Sequence, residues 1–176
     1  MVEMKNYFSA LTKRSFDKTL NYQWLGRFDQ QANTRYHLDN ASNQSFLMLG
    51  YEPTEIESEL YIADYVEFSR DREIEPAEFF EKFNPGFSDN EEILKPYSTR
   101  IKPFKKESYK IVLINNSNCQ PECDTLGVLH MAKIKQPDLE KSRVVNSMML
   151  KMVSKENESE ESDMEKTFLT TDHVST

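Results

Sequence analysis

Short apolar runs and alternating polar and apolar positions, rather than helical periodicity, set the pattern along this chain. Asn21–Gln30 reads as a strand ending in the polar turn Gln30–Asn33, and Thr34–Asn40 follows as a second, short strand. Ser45–Tyr51 (Ser-Phe-Leu-Met-Leu-Gly-Tyr) is nearly continuous in apolar residues and suits a buried strand. Glu52-Pro53 breaks it, since proline cannot donate to a central ladder. Leu60–Phe68, rich in aromatic and β-branched residues, is read as a further strand, followed by Tyr97–Phe104, Ser108–Asn115, Thr125–Met131 and Arg143–Val153. Pro103 marks an edge or a strand end, and Lys135–Ser142, which holds Pro137, is a loop.

Two stretches depart from this pattern. Residues 1–20 space Tyr7, Phe8, Leu11, Phe16 and Leu20 in a way that permits a short helix. Glu75–Phe83 places Pro76 in a first helical turn and Phe79, Phe80 and Phe83 on one face, and Asn84-Pro85-Gly86 stops it. About eight strands with one helical insertion make an antiparallel double-sheet barrel the natural architecture. The expected class is therefore mainly β, a double-stranded β-helix of the jelly-roll or cupin-like kind.

Composition adds a tail. Beyond Val153 acidic residues dominate and apolar ones nearly vanish, so residues 154–176 are expected to be a disordered acidic tail on a domain spanning 1–153. A length of 176 residues fits one such domain. No apolar run approaches the roughly 20 residues of a membrane span, and Met1-Val-Glu-Met-Lys5 lacks the apolar core of a secretory signal. The expected location is cytoplasmic and soluble, with no membrane partner. A net charge of −8 argues against nonspecific nucleic-acid binding, which needs a cationic surface. Lys102, Lys105, Lys106 and Lys110 read as a solvated sheet edge. Cys119 and Cys123 are spaced unlike a zinc knuckle and are read as reduced loop thiols. The sequons at Asn43, Asn115 and Asn157 carry no meaning in an intracellular chain.

The candidate chemistry begins at His37-Leu38-Asp39. On an extended segment, residues two apart project to one face, about 7 Å apart along the chain. An imidazole and a carboxylate so placed can share a metal ion. His130, at the end of an apolar strand, supplies a third ligand, whereas His173 falls in the tail. Two histidines and one carboxylate leave open positions on a metal, as in non-haem Fe(II) oxygenases, though these ligand types also accept manganese, cobalt or zinc. Arg143 opens the last apolar strand, and a guanidinium inside a barrel needs an anion, matched best by a carboxylate. Ser147, four residues on, shares that strand face and can add a hydroxyl contact.

These residues resemble the 2-oxoglutarate/Fe(II)-dependent oxygenase superfamily over roughly Trp24 to Leu150. Leu25 to Asp39 resembles the strand, turn and His-x-Asp of prolyl-hydroxylase-like members. Arg100 to Ser117 resembles their Pro-x-x-Asn-x-Leu-Val-x-Phe segment, and Gly127-Val-Leu-His130 their distal Gly-Val-x-His strand. The resemblance implies Fe(II) held by His37, Asp39 and His130, with 2-oxoglutarate as co-substrate reaching Arg143. It further implies a dioxygenase that oxidises an unidentified small-molecule or protein substrate and releases succinate and CO2. Tyr22, Trp24 and Tyr97 are candidates for pocket lining or for core, and substrate choice would lie in residues 52–59 and 69–96. The rival expectation is a non-catalytic jelly-roll or cupin-like binding or structural module. A metal-dependent cupin without a 2-oxo acid would tolerate Arg143→Ala.

Overall fold

The computed structural model describes residues 1–39, 42–83, 90–103, 105–119, 127–154 and 162–175. The chain is mainly β. Strands β1 (Lys18–Asp29), β2 (Ser45–Tyr51), β5 (Lys110–Asn115) and β7 (Val144–Ser154) form an antiparallel sheet in the order β1-β7-β2-β5. Strands β3 (Ser58–Ala63), β4 (Ser98–Arg100) and β6 (Leu129–Ile134) form a second antiparallel sheet, ordered β4-β3-β6. The two sheets do not close into a barrel among the described residues.

Alternation along β7 explains the layering. Val145 and Met149 join Leu47, Leu49, Tyr51 and Ile114 in a core that also takes Ile62 of β3, and so lies between the sheets. Met148 and Leu150 point the other way, with Leu20, Tyr22 and Met48, under helix α1 (Val2–Phe16). A strand buried on both faces reads as a continuous apolar run, and β2 and β7 do. The outer face of the smaller sheet carries Leu129 and Met131, covered by Tyr65, Phe68, Phe79 and Leu94 of helices α2 (Tyr65–Asp71), α3 (Phe79–Lys82) and α4 (Asn90–Leu94).

Several expected elements change. The expected strand Leu60–Phe68 ends at Ala63, because the Asp64 carboxylate accepts the N–H groups of Val66 and Glu67 and caps α2. Thr34–Asp39 is not a strand, and Asn40 lies outside the described residues. Its main chain meets β6 through the His37–His130 bridge and the Thr34 N–H on Ala132 O. The Thr34 hydroxyl and the Asn33 carboxamide oxygen accept the N–H groups of Ala132 and Ile134, replacing backbone acceptors of a ladder. Glu75–Phe83 divides into a 3₁₀ turn, Pro76–Glu78, and α3, while Asn84-Pro85-Gly86 lies outside the described residues. Tyr97–Phe104 shrinks to β4, with Phe104 also outside.

The tail expected to be disordered contains helix α5 (Ser162–Thr170), although residues 155–161 lie outside the described set. Phe168 packs against the core under α1, the Tyr22 hydroxyl donates to Glu165, and Ser175 bridges Phe28 on the free edge of β1. One aromatic anchor and a sheet edge give the acidic segment the burial that its composition conceals. Cys119 is buried, its backbone N–H donating to the Tyr65 hydroxyl at 3.1 Å, and Cys123 falls outside the described residues. No described helix is long and apolar enough to cross a membrane.

Candidate metal centre

His37 and His130 face each other across the bridge, each donating its N–H to the other's carbonyl, at 3.1 and 3.0 Å. Residues paired in this way put their side chains on one face. Their ring centroids are 4.2 Å apart. Asp39, two residues beyond His37, turns its carboxylate toward both rings, with Oδ1 3.1 Å from His37 Nε2 and Oδ2 3.7 Å from His130 Nε2. One ligand atom from each of the three lies within 4.8 Å of the others.

The hydrogen bonding around His37 sets its tautomer. Its Nδ1 lies 2.6 Å from the Arg35 carbonyl, so Nδ1 carries the proton. A neutral ring then aims the Nε2 lone pair at an anionic oxygen, which is favourable only with a proton or a cation between them. Burial alone would lower the His37 pKa, but the hydrogen bond and charge of Asp39 outweigh it, and the net shift is upward. Asp39 resolves likewise: burial opposes its ionisation, yet contacts with His37 and His130 hold it below the ordinary carboxylate value. His130 is 5% exposed. Burial, reinforced by neighbouring His37, pushes it down to about 4, so it is neutral at neutral pH. Its Nδ1 is buried without a hydrogen-bond partner among the described residues, so packing and whatever Nε2 binds set the ring's orientation.

Two imidazoles and a carboxylate suit a divalent first-row metal, and a ligating histidine usually passes its other N–H to a carbonyl or carboxylate, as His37 does. The residues therefore fit the metal that the resemblance implies.

Of the three, Asp39 borders a cleft of about 510 Å³ that Gln23, Trp24, Phe28, Leu38, Ser147 and Met149 also line. Trp24 reaches it through a bulge. Leu20 and Tyr22 face the α1 side, but the register with β7 shifts between Tyr22 and Trp24. The extra residue, Gln23, re-aims Trp24, Gly26 and Phe28 toward the inter-sheet side. The indole lies over Gly26, where an added Cβ would sit 2.1 Å from the ring.

Arg143 is 2% exposed. Its Nε donates to Ser58 Oγ at 3.0 Å, and its Nη1 to the Gln30 carbonyl and side-chain oxygens at 2.9 and 2.5 Å. The guanidinium lies over the Tyr51 ring, 5.1 Å from its centroid. No carboxylate among the described residues pairs with it; Asp29 accepts only the Arg143 backbone N–H. Burial lowers its pKa, and the Tyr51 hydroxyl and the charge of the nearby Asp29 carboxylate partly offset this. Burial raises the Tyr51 pKa; Arg143 opposes that shift and Asp39 adds to it, so this hydroxyl feels both the guanidinium and the triad carboxylate. Arg143, Tyr51 and Ser58 border a cavity of about 250 Å³ that Lys105, Lys106 and Lys135 also line.

Ser147 shares the Arg143 strand face, as alternation requires, but it borders the Asp39 cleft instead of the Arg143 cavity. Tyr22 and Tyr97 stand away from the site, the first bonded to Glu165 and the second to Asp71. Lys105 and Lys106 are more than a solvated edge, since they border the Arg143 cavity. Sequence reading missed Tyr51, Gln30, Ser58 and Asn116. Tyr51 ends the Leu47, Leu49, Tyr51 alternation and so reads as core; the others left no signal.

No family model, curated protein or solved structure matches the chain.

Proposed function

We propose that the chain is an Fe(II)- and 2-oxoglutarate-dependent dioxygenase, built as a double-stranded β-helix, that oxidises a substrate C–H bond and releases succinate and CO2. The observation that carries this is a pairing: a three-ligand cluster, and a buried guanidinium without a carboxylate partner, joined by a tyrosine that feels both. Strand order supports the fold. Counting the segment 33–37 beside β6, the sheets run β1-β7-β2-β5 and β4-β3-β6 plus that segment. Such interleaving is what a jelly-roll winding produces.

His37, Asp39 and His130 would hold the metal from one side. Bound Fe(II) supplies oxygen activation and the oxidative decarboxylation of the 2-oxo acid. Arg143, locked by Ser58 and Gln30, receives the distal carboxylate, and the Tyr51 hydroxyl adds a hydrogen bond beside it. Burial of both groups strengthens that recognition. Trp24 and Phe28 border the open side, where the substrate would approach.

One observation favours a second reading, a metal-binding cupin-like module that takes no 2-oxo acid: the Arg143 cavity and the Asp39 cleft share no lining residue. Anaerobic addition of Fe(II) and 2-oxoglutarate separates the two. The dioxygenase develops a visible metal-to-ligand charge-transfer band, lost in His37→Ala and in Arg143→Leu, and forms succinate in air. A folded wild-type protein that binds metal but shows neither signal sinks the dioxygenase and leaves the module.

A further inference from the structure

We infer that Asn116 is the positioning residue of the metal centre, its carboxamide clamping the Asp39 backbone to the four-stranded sheet. The inference rests on the metal reading of His37, Asp39 and His130.

Asn116 is fully buried, at 0% exposure, and spends both ends of its side chain on one residue. Its Oδ1 accepts the Asp39 N–H at 3.1 Å, and its Nδ2 donates to the Asp39 carbonyl at 2.8 Å. A facing β-strand makes this same pair of bonds from its backbone. The amide orientation is forced, because Asp39 offers one donor and one acceptor. Asn116 is itself fastened to the first residue of β2: its N–H donates to Ser45 O at 3.1 Å, and its carbonyl accepts from Ser45 Oγ at 2.9 Å. The Ser45 N–H in turn donates to Ser117 Oγ at 3.0 Å.

Two ligands separated only by Leu38 are thus moored to different sheets. His37 is held by β6 of the smaller sheet, and Asp39 by Asn116 at the end of β5 in the larger one. Regular strand pairing does not reach residue 39, so the carboxamide supplies the ladder that the backbone does not. Asp39, held there, presents one carboxylate oxygen to each imidazole Nε2. Aspartate at position 116 would keep an acceptor for the Asp39 N–H but lose the donor to its carbonyl, and alanine would lose both.

The test titrates Co(II) alone into the full chain, following heat and the Co(II) ligand-field absorption, for wild type, Asn116→Ala, Asn116→Asp and Ser45→Ala. Ser45→Ala weakens the mooring behind Asn116 but leaves its carboxamide in place. The expected result is a 10- to 100-fold weaker Co(II) affinity in both Asn116 variants, the range typical of groups that orient metal ligands. A changed ligand-field spectrum at saturation accompanies it, whereas Ser45→Ala keeps wild-type affinity and spectrum even if its melting temperature falls. Should the alanine variant fail the circular-dichroism check for folding, the shape-preserving aspartate variant decides. Wild-type affinity and spectrum in the Asn116 variants overturn the inference while the metal centre stands. An equal loss in Ser45→Ala also overturns it, because affinity would then follow stability. A wild type that ignores Co(II) overturns the metal reading itself and the inference with it.

Discussion

At the scale of single residues, the proposed dioxygenase would separate holding a metal, by His37, Asp39 and His130, from recognising an acid. In that proposal Tyr51 and Arg143 belong to recognition. Replacing Tyr51 with Phe removes one hydroxyl hydrogen bond, about 1 kcal/mol, so the KM for 2-oxoglutarate should rise about fivefold with metal affinity unchanged. Arg143→Leu removes a buried charged partner, an effect of about 2–5 kcal/mol, and should raise the same KM by about two orders of magnitude, again sparing Co(II) affinity. Steady-state kinetics set beside Co(II) titration checks both; metal affinity falling with KM would mean the two functions are not separable. The gathering of His37, Asp39 and His130 was legible from their residue types and the spacing of two between the first pair, although the strand on which that spacing was argued does not form. Tyr51 was not, because an aromatic ending an apolar strand reads as core. Asn116 was hidden for another reason: its partner is 77 positions away in sequence, and no local spacing announces a clamp.

At the scale of elements, polar side chains set boundaries that apolar runs conceal. Ser45–Tyr51 and the Arg143–Val153 run were legible as strands because both faces of β2 and β7 are buried. The junction of β3 and α2 was not, since Asp64 stops a strand inside an unbroken aromatic and β-branched run. Asp64→Ala should cost about 1 kcal/mol through loss of the cap, lowering Tm by about 2–4 °C in differential scanning calorimetry. The smaller sheet has its own electrostatic tie. Glu59 on β3 accepts from Tyr61 and meets Lys135 at 2.9 Å and Arg100 of β4 at 3.0 Å. The Tyr61 and Lys135 hydrogen bonds bring its pKa down to about 2. A depressed carboxylate stabilises the fold above its unfolded pKa, about 4.3, and loses that contribution as pH falls through the folded value. The Tm gap between wild type and Glu59→Gln should therefore be full at pH 6, shrink below about 4.3 and close near 2. A gap constant with pH would mean that Glu59 acts by packing alone.

Across the whole molecule, helices clothe both outer sheet faces and leave the polar groups, the two histidines, Asp39, Arg143, Ser147 and Ser58, concentrated between the sheets. The mainly β, antiparallel character was legible; the expected barrel with a single helical insertion was not met, since the two sheets do not close among the described residues and several helices cover their outer faces. The docking of α5 was not legible, because it depends on Phe168 finding a core built from residues at the opposite end of the chain. The candidate site joins the two sheets through His37 on one side and Asp39 on the other, so metal should tighten the whole chain, raising Tm in the wild type but not in Asp39→Ala. The bulge at Gln23 has an optical consequence. Trp24 is the only tryptophan in the chain, 45% exposed, and it shares a cleft with the Asp39 carboxylate. Under the proposed metal reading, the indole would serve as a built-in fluorescent gauge of occupancy. Paramagnetic Co(II) can drain the indole's excited state where colourless Zn(II) leaves it bright, with no label and no turnover required.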